Sequence, residues 1–505
     1  MLENDVTTST ESATDTVHVD TPVNDQLPYD PSSPESIYAH LHEHFTLQRN
    51  SFDQHPYETV AERRAHLANL KKLLTDNVDA IVAAINQDYG NRSYHETMLA
   101  EFFVAVDDIT ASSKKVAKWA KVQKRSVDWT MFAGAKNKVI PQPIGVVGFI
   151  IPWNFPINLT FAGLSSAFAA GNRAMVKMSE NSRNLCQLLI ELTPQYFAPE
   201  KLQFFDETGQ VGQQFSSVPF DHIMFTGSGA TGKKVMANAA ANLTPVTLEL
   251  GGKSPAVIDP NYDLQKAVER IMFAKQYNAG QICTNVDYLF VHESQMTDYL
   301  TAAKNWVQKH LPDITSKDYT SLIDETSYNR IVATVEDAKA KGATVINLND
   351  QEPNAELRKY PVTIIMDITD DMMIATRETF GPLLLVFPYQ DKQDVVDYVI
   401  KRDRPLAFYP FTSDNALADF YIEKIMSGGV SVNDALFHVA QHDLPFGGIG
   451  PSGMGHYHGY EGFLTFSKLR PVFKQAPISS LKFLYPPYGN LANKVIATLS
   501  KLKMK

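Results

Sequence analysis

The chain predicts an α/β protein built on two doubly wound, mostly parallel sheets, with a small β element beside them. Three observations carry this. Two sets of short apolar runs alternate with helical segments, the sets meet at Leu250-Gly251-Gly252, and 505 residues exceed what one ordinary core holds. The first set is 145–151, 175–178, 202–205, 223–226 and 246–250. The second is 255–258, 287–291, 343–346, 362–366, 383–387, 407–411 and 429–432. Ligands of such sheets sit at the carboxyl ends of the strands, and a cleft between the two domains is where a reaction is expected.

Taken in order, the first 48 residues contain no lysine or arginine, so they form neither a secretory signal nor a mitochondrial presequence. Residues 1–34 read as a disordered or extended tail. Residues 35–125 read as helical, with Leu67, Leu70, Leu73, Leu74 and Ile81 on apolar faces and Arg63, Lys71 and Lys72 on polar ones. The segment 127–143 has a turn signal at Gly134 and little helical periodicity, which suggests a protruding hairpin. No apolar stretch reaches the ~18 residues a membrane span needs. Residues 495–505 are short, amphipathic and basic; a frayed terminal helix is preferred to a membrane-surface contact.

Forty-six basic against 56 acidic residues, without a basic run before the last positions, exclude a nucleic-acid surface. Cys186 and Cys283 are the only cysteines, which rules out a disulfide framework and fits a reducing cytoplasm. Cys186 lies on an apolar helix face and reads as a core thiol. Cys283 is different. Asp263 can cap a helix bearing Leu264, Val268, Ile271 and Met272, Gly280 can stop it, and a strand begins near Asp287. The thiol therefore sits in a helix-to-strand turn whose backbone N–H groups are free to face a reacting oxygen. A small buried thiol is the competing account.

Other loops add polar groups. In Pro152-Trp153-Asn154-Phe155-Pro156 two prolines fix the backbone around an amide, so Asn154 is a rigid donor for an oxyanion; an ordinary turn asparagine is the alternative. Gly227-Ser228-Gly229-Ala230-Thr231-Gly232 opens a helix after the fourth strand, where N–H groups and the helix dipole can receive a pyrophosphate. A mechanical fingerprint reading would put Glu249 on a ribose, but that fingerprint belongs to the first strand–helix turn, not the fourth. Glu249 is better read as a carboxylate whose partial burial raises its pKa toward that of a general base, with a structural ion pair as the alternative. Lys177 and Glu180, at the end of the second strand, can hydrogen-bond ribose hydroxyls, with a solvated strand end as the equal alternative.

PWNFP, FTGS, LELGGKSP, GQIC, ETFGP and PFGGIGPSGMG, in this order, resemble the aldehyde dehydrogenase superfamily from about residue 40 to 475. The segments around Glu249 and around Gly453-Met454-Gly455-His456-Tyr457-His458, with Tyr485-Pro486-Pro487-Tyr488, are similar to the class 3 group and most of all to its coniferyl aldehyde dehydrogenases. The resemblance implies NAD(P)-dependent oxidation of an aromatic or medium-to-long aliphatic aldehyde. Cys283 would be the nucleophile, Asn154 with the Cys283 N–H the oxyanion donors, and Glu249 the base that frees the acyl group. Glu378 would bind the nicotinamide ribose beside Phe380, Lys177 and Glu180 the adenosine ribose, and Ser228 the pyrophosphate. Pro152, Trp153, Gly227, Leu250 and Gly251 would line the same cofactor site.

No metal is implied. A carboxylate at Glu180 favours NAD by repelling a 2′-phosphate, although class 3 relatives use NADP as well. The family arrangement implies an NAD(P)-binding domain over 35–126 and 144–248 and a catalytic domain over 249–434. Bridging and oligomerisation elements would lie at 127–143 and 435–490, with a tail at 491–505, in a homodimer. Phe437, His438 and Tyr457 are candidates for an apolar entrance, with core packing the preferred reading for any one of them. Gly229 and Thr284-Asn285-Val286 depart from the usual family residues. Transfer of the acyl group to coenzyme A and a catalytically silent member of the fold are the competing readings. Glu249 speaks against the first, and Cys283, Asn154, Glu249 and Glu378 together against the second.

Overall fold

The computed structural model describes residues 29–207 and 210–504. Most of the tail expected over 1–34 lies outside the described residues, and the first helix already begins at Pro34. Ser33 caps that helix, and Thr59 with Glu62 forms a reciprocal capping box on the next, Val60–Thr75. Val60–Thr75, with Val78–Tyr89 and Val104–Trp119, buries Leu67, Leu70, Leu73, Leu74 and Ile81 in one core with the helix Pro156–Ala170, while Pro34–Gln54 packs Ile37, Leu41 and Phe45 into a separate core. Arg63 does not face solvent as expected. Its guanidinium is buried, donating to the Glu58 carbonyl at 3.0 Å and the Ala169 carbonyl at 3.1 Å, because the helix Pro156–Ala170 ends against it.

All five strands expected in the first sheet form, in the spatial order Val246–Leu250, His222–Gly227, Val146–Ile150, Arg173–Lys177, Leu202–Phe205. They are parallel. Val146–Ile150 and Arg173–Lys177 are buried throughout, as central parallel strands with both faces covered must be. The order reverses between Val146–Ile150 and His222–Gly227, so the loops after these two strands open a crevice. A short strand from far along the chain, Gly453–Met454, adds antiparallel to Val246–Leu250 and pairs Gly453 with Glu249. Residues 435–490 therefore do not serve a bridging element alone. The strand bearing Glu249 also runs to Leu250, so a division between 248 and 249 would cut it.

The second sheet has the order Thr344–Asn347, Thr363–Met366, Leu383–Tyr389, Val286–His292, Ser254–Ile258, Ala407–Phe411, Gly429–Val430. All but the first pair run parallel. Only three residues, Gly251 to Lys253, link the last long strand of the first sheet to Ser254–Ile258. The carboxyl edge of one sheet thus faces the amino edge of the other. Cys283 and Glu378 precede their strands, Val286–His292 and Leu383–Tyr389, so the rule of carboxyl-end chemistry holds for the first sheet and reverses in the second.

The hairpin exists, with strands Gln123–Arg125 and Lys136–Pro143, and Ser467–Lys474 joins it as a third strand. The C-terminal stretch is the helix Asn490–Lys503, and Lys503 pairs with Asp128 near the hairpin turn. Among the described residues no helix is long and apolar enough to cross a membrane.

Candidate active site

Asp263 caps the helix Leu264–Gln276 as its sequence suggests, accepting from the Lys266 N–H. The chain then turns left-handed three times, at Asn278 (φ 50°), Ala279 (φ 49°) and Gly280 (φ 76°). Strain of this kind persists only where the surroundings fix it, and here they do. Gln281 is fully buried: its amide donates to the Asn278 carbonyl at 3.0 Å and the Ser321 carbonyl at 3.1 Å, while its oxygen accepts from the Ile323 N–H at 3.0 Å. Beyond Cys283, the Tyr409 hydroxyl donates to the Thr284 carbonyl at 2.6 Å and Asn285 donates to the Ala274 carbonyl at 3.2 Å. The loop that presents the thiol is held on both sides.

Gly280 fits where no other residue would. A Cβ there would lie 2.1 Å from the Gly381 carbonyl oxygen, which is backbone and cannot step aside. Gly280→Ala is expected to destabilise the protein by about 2–4 kcal/mol, from left-handed strain plus overpacking. A chemical denaturation midpoint equal to that of the wild type would contradict this.

Cys283 faces two cavities. One, of about 470 Å³, is polar and is lined by Pro152, Trp153, Asn154, Gly227, Ser228, Glu249, Leu250, Gly251, Glu378 and Phe380 with the thiol itself. Eleven of the residues singled out in the sequence thus meet in one place. Thr226 and Gly229, from the FTGS motif and the glycine-rich loop, line it too, and Ser327, Arg330 and Arg377 also line it without having carried a signal, since an arginine on a helix such as Arg330 reads as a solvated face. The other cavity, about 430 Å³, is walled by Phe103, Phe155, Phe273, Phe437 and Phe446. Only Phe437 of the expected entrance residues lines it. His438 turns instead to the Ser431 hydroxyl at 3.0 Å, and Tyr457 is fully buried against Phe446. Five phenyl rings converge because the irregular π-helical turn Met98–Phe103 and the late loop around Phe437 close over the same helix start.

Burial dominates the electrostatics. It pushes the Cys283 thiol up to about 12, with Glu378 and Glu249 adding to the rise, while the N–H groups of Cys283 and Thr284 pull the other way. Glu249 is buried with no side-chain partner among the described residues, and its carboxyl is held well above the usual range, the Gly448 backbone opposing weakly. Glu378 is raised to about 8 by burial and by Asp287. Its loop is clamped: Arg330 donates to the Thr379 carbonyl at 2.7 Å and to the Phe380 carbonyl at 2.9 Å, and Asp287 accepts from the Thr379 N–H at 2.7 Å. Lys253 completes the clamp, pairing with Asp287 and donating to the Arg377 carbonyl at 3.0 Å.

Asn154 lies across the cleft from this clamp. Its side-chain amide donates to the Gln281 carbonyl at 3.3 Å, which ties the turn after the first strand to the cysteine loop. Trp153 meets Phe380 edge-on at 5.6 Å. The polar cavity has the features of a dinucleotide cradle. Ser228 caps the helix Gly229–Ala240, nothing lies within 4 Å above Gly229, and a Cβ on Gly251 would strike the Glu378 carboxylate at 2.1 Å. Lys177 and Glu180 do not line that cavity. Lys177 pairs with Glu207, which reaches it because the neighbouring strand ends alongside at Phe205, and Glu180 is exposed beside Ser179.

Residues 13–472 match the Aldehyde dehydrogenase family. A probable coniferyl aldehyde dehydrogenase of Pseudomonas aeruginosa is 42% identical over 456 residues, which span 90% of this chain and 95% of that protein. A coniferyl aldehyde dehydrogenase of a Pseudomonas species is 40% identical over 442 residues, 86% of this chain and 91% of that one. Among solved structures, a substrate-bound Staphylococcus aureus AldH superposes with a TM-score of 0.85 at 30% identity, covering 90% of this chain and 99% of that one. A Mycobacterium tuberculosis aldehyde dehydrogenase complexed with NAD+ gives 0.78 at 25% identity, over 88% and 91%. The chain therefore belongs to the aldehyde dehydrogenase family and is an aldehyde-oxidising, NAD(P)-using oxidoreductase.

Proposed function

We propose that the chain converts an aldehyde to its carboxylic acid through an acyl group carried on Cys283, with NAD as the preferred acceptor. One observation carries this: the Cys283 thiol stands where an aromatic-walled cavity meets a polar one holding two carboxyl groups and a capped helix start. The aldehyde enters from the apolar side and its carbonyl carbon bonds to the Cys283 sulfur as the thiol gives its proton to water. Negative charge then grows on the carbonyl oxygen, which receives the Asn154 amide and the Cys283 N–H. NAD, when bound in the polar cavity, would supply the acceptor for the aldehyde hydrogen as hydride. Glu249 next removes a proton from water, whose oxygen attacks the thioester and releases the acid and the thiol. Glu378 is suited to hold the nicotinamide ribose hydroxyls, with Phe380 and Trp153 beside it.

Five phenyl rings favour an aromatic aldehyde, coniferaldehyde foremost because the relatives above carry that name, with medium and long aliphatic aldehydes as further substrates. The exposed Glu180 carboxylate disfavours a 2′-phosphate. Glu207 adds to this by neutralising Lys177, the cation that would otherwise welcome one. Glu207→Gln is accordingly expected to raise the NADP-to-NAD ratio of kcat/KM about fivefold, the worth of a partly exposed ion pair; an unchanged ratio would remove Lys177 from cofactor choice. The strand Ser467–Lys474, with Leu469 and Phe473 exposed on it, supports a homodimer, and two unpaired thiols fit a cytoplasmic site.

The test is NADH formation with coniferaldehyde, benzaldehyde and hexanal, in the absence of coenzyme A. Steady turnover without coenzyme A excludes acyl transfer to it. No turnover with any of the three aldehydes would sink the proposal.

A further inference from the structure

Three donors converge on the backbone carbonyl of Asn154: the Tyr89 hydroxyl at 3.1 Å, the Asn278 amide at 3.3 Å and the Arg92 guanidinium at 2.9 Å. Arg92 is the unusual one. It lies in the link between the helix Val78–Tyr89 and the short helix Tyr94–Thr97, where its own N–H is pinned to the Asn86 side chain at 2.8 Å. Its side chain is wholly buried, sandwiched between the rings of Tyr89 at 4.8 Å and Phe155 at 5.1 Å. The same nitrogen that reaches Asn154 lies 3.0 Å from the Glu101 carboxylate, which is equally buried.

Glu101 continues the network. Its second oxygen accepts from the N–H groups of Ile157 at 3.0 Å and Asn158 at 2.8 Å, the first turn of the helix Pro156–Ala170. The ion pair therefore grips Asn154 from both directions, at its carbonyl and at the helix that starts two residues later. Burying two opposite charges costs several kcal/mol and gives little net stability in return, so an apolar pair would serve a merely structural need as well. A planar guanidinium that stacks between two rings while donating to a carbonyl is what lysine cannot supply. Arg92 lines neither of the cavities that meet at Cys283; its one hydrogen bond to a residue of the polar cavity is to the Asn154 carbonyl, and it meets the apolar cavity only from behind the Phe155 ring.

We propose that Arg92, held by Glu101, is the positioning residue for Asn154, fixing the turn so that the Asn154 amide is aimed at the oxygen of the aldehyde bound to Cys283. This rests on the role of Asn154 proposed above. Misplacing such a donor by about 1 Å can cost about 10²-fold in rate.

A double-mutant cycle with Arg92→Met and Asn154→Ala tests it. Arg92→Met alone is expected to lower kcat about 10- to 100-fold, with the KM for NAD and the rate of Cys283 alkylation by iodoacetamide within about twofold of the wild type. In the Asn154→Ala background the same change is expected to do nothing further, because the amide it positions is gone. Independent, multiplying losses in the two variants, or a fully active Arg92→Met, would overturn the proposal. If Arg92→Met fails to fold, Arg92→Lys and Glu101→Gln run the same cycle with the same expectations. A fully active Asn154→Ala would instead refute the oxyanion role on which this rests, so the two failures are distinguishable.

Discussion

Cys283→Ala is expected to abolish aldehyde oxidation, lowering turnover by about 10⁴-fold or more, as loss of a covalent nucleophile does. NAD affinity, followed by quenching of tryptophan emission, should stay within about twofold, because Trp153 and the Glu378 clamp are untouched. The thiol earns this weight from its placement. Two cavities of different polarity touch at one sulfur, and the carboxyl groups of Glu249 and Glu378 both lie close enough to raise its pKa. A thiol held up to about 12 is almost wholly protonated at neutral pH, so it must lose its proton as it attacks. Alkylation of the resting enzyme should therefore quicken steadily as pH rises, without a plateau below pH about 9. Substantial oxidation by Cys283→Ala would remove the covalent route altogether.

Glu249→Gln carries the second large effect. Steady turnover should fall about 10²- to 10³-fold while the first equivalent of NADH still appears as a burst, since acyl release needs a base that glutamine cannot provide. A loss of burst and steady rate in equal measure would place Glu249 in the first half of the reaction instead. Burial raises its carboxyl pKa, so the ionised form is scarcer than for a free glutamate at the same pH and wild-type kcat should climb with pH. The linkage to stability follows from the same shift. Glu249 and Glu378 have folded pKa values above their unfolded ones, so the fold's advantage is complete below the ordinary carboxylate range and is lost as pH rises, for Glu378 through about 8. Glu249→Gln should thus lose less stability across that window than the wild type does.

Much of this was legible in the residues themselves. The strands of both sheets announce themselves as short apolar runs, Asp263 sits one residue before its helix, and the short motifs supply twelve lining residues of the polar cavity. What stayed hidden shares a cause. Arg92 meets Asn154 across 62 positions and Arg330 meets Phe380 across 50, and no local pattern marks such a pair. Arg63 reads as polar-facing because charge predicts exposure, until a helix end a hundred positions away receives it. Lys177 likewise finds Glu207 only once two strands lie side by side. The phenyl walls of the second cavity come from four stretches far apart in sequence, and of the five rings only Phe437 is singled out by the sequence as an entrance candidate.

The strand pair that joins Gly453 to Glu249 has a consequence for the chain as it is made. The strand that carries the base emerges from the ribosome with one edge bare, and its neighbour follows some 200 residues later, about 10–40 s at ordinary rates of synthesis. Through that interval the cysteine loop is made and gains its anchors at Ser321, Ile323 and Tyr409 in turn, while the Glu249 strand keeps an open β edge of the kind that chaperones shield and that aggregation exploits.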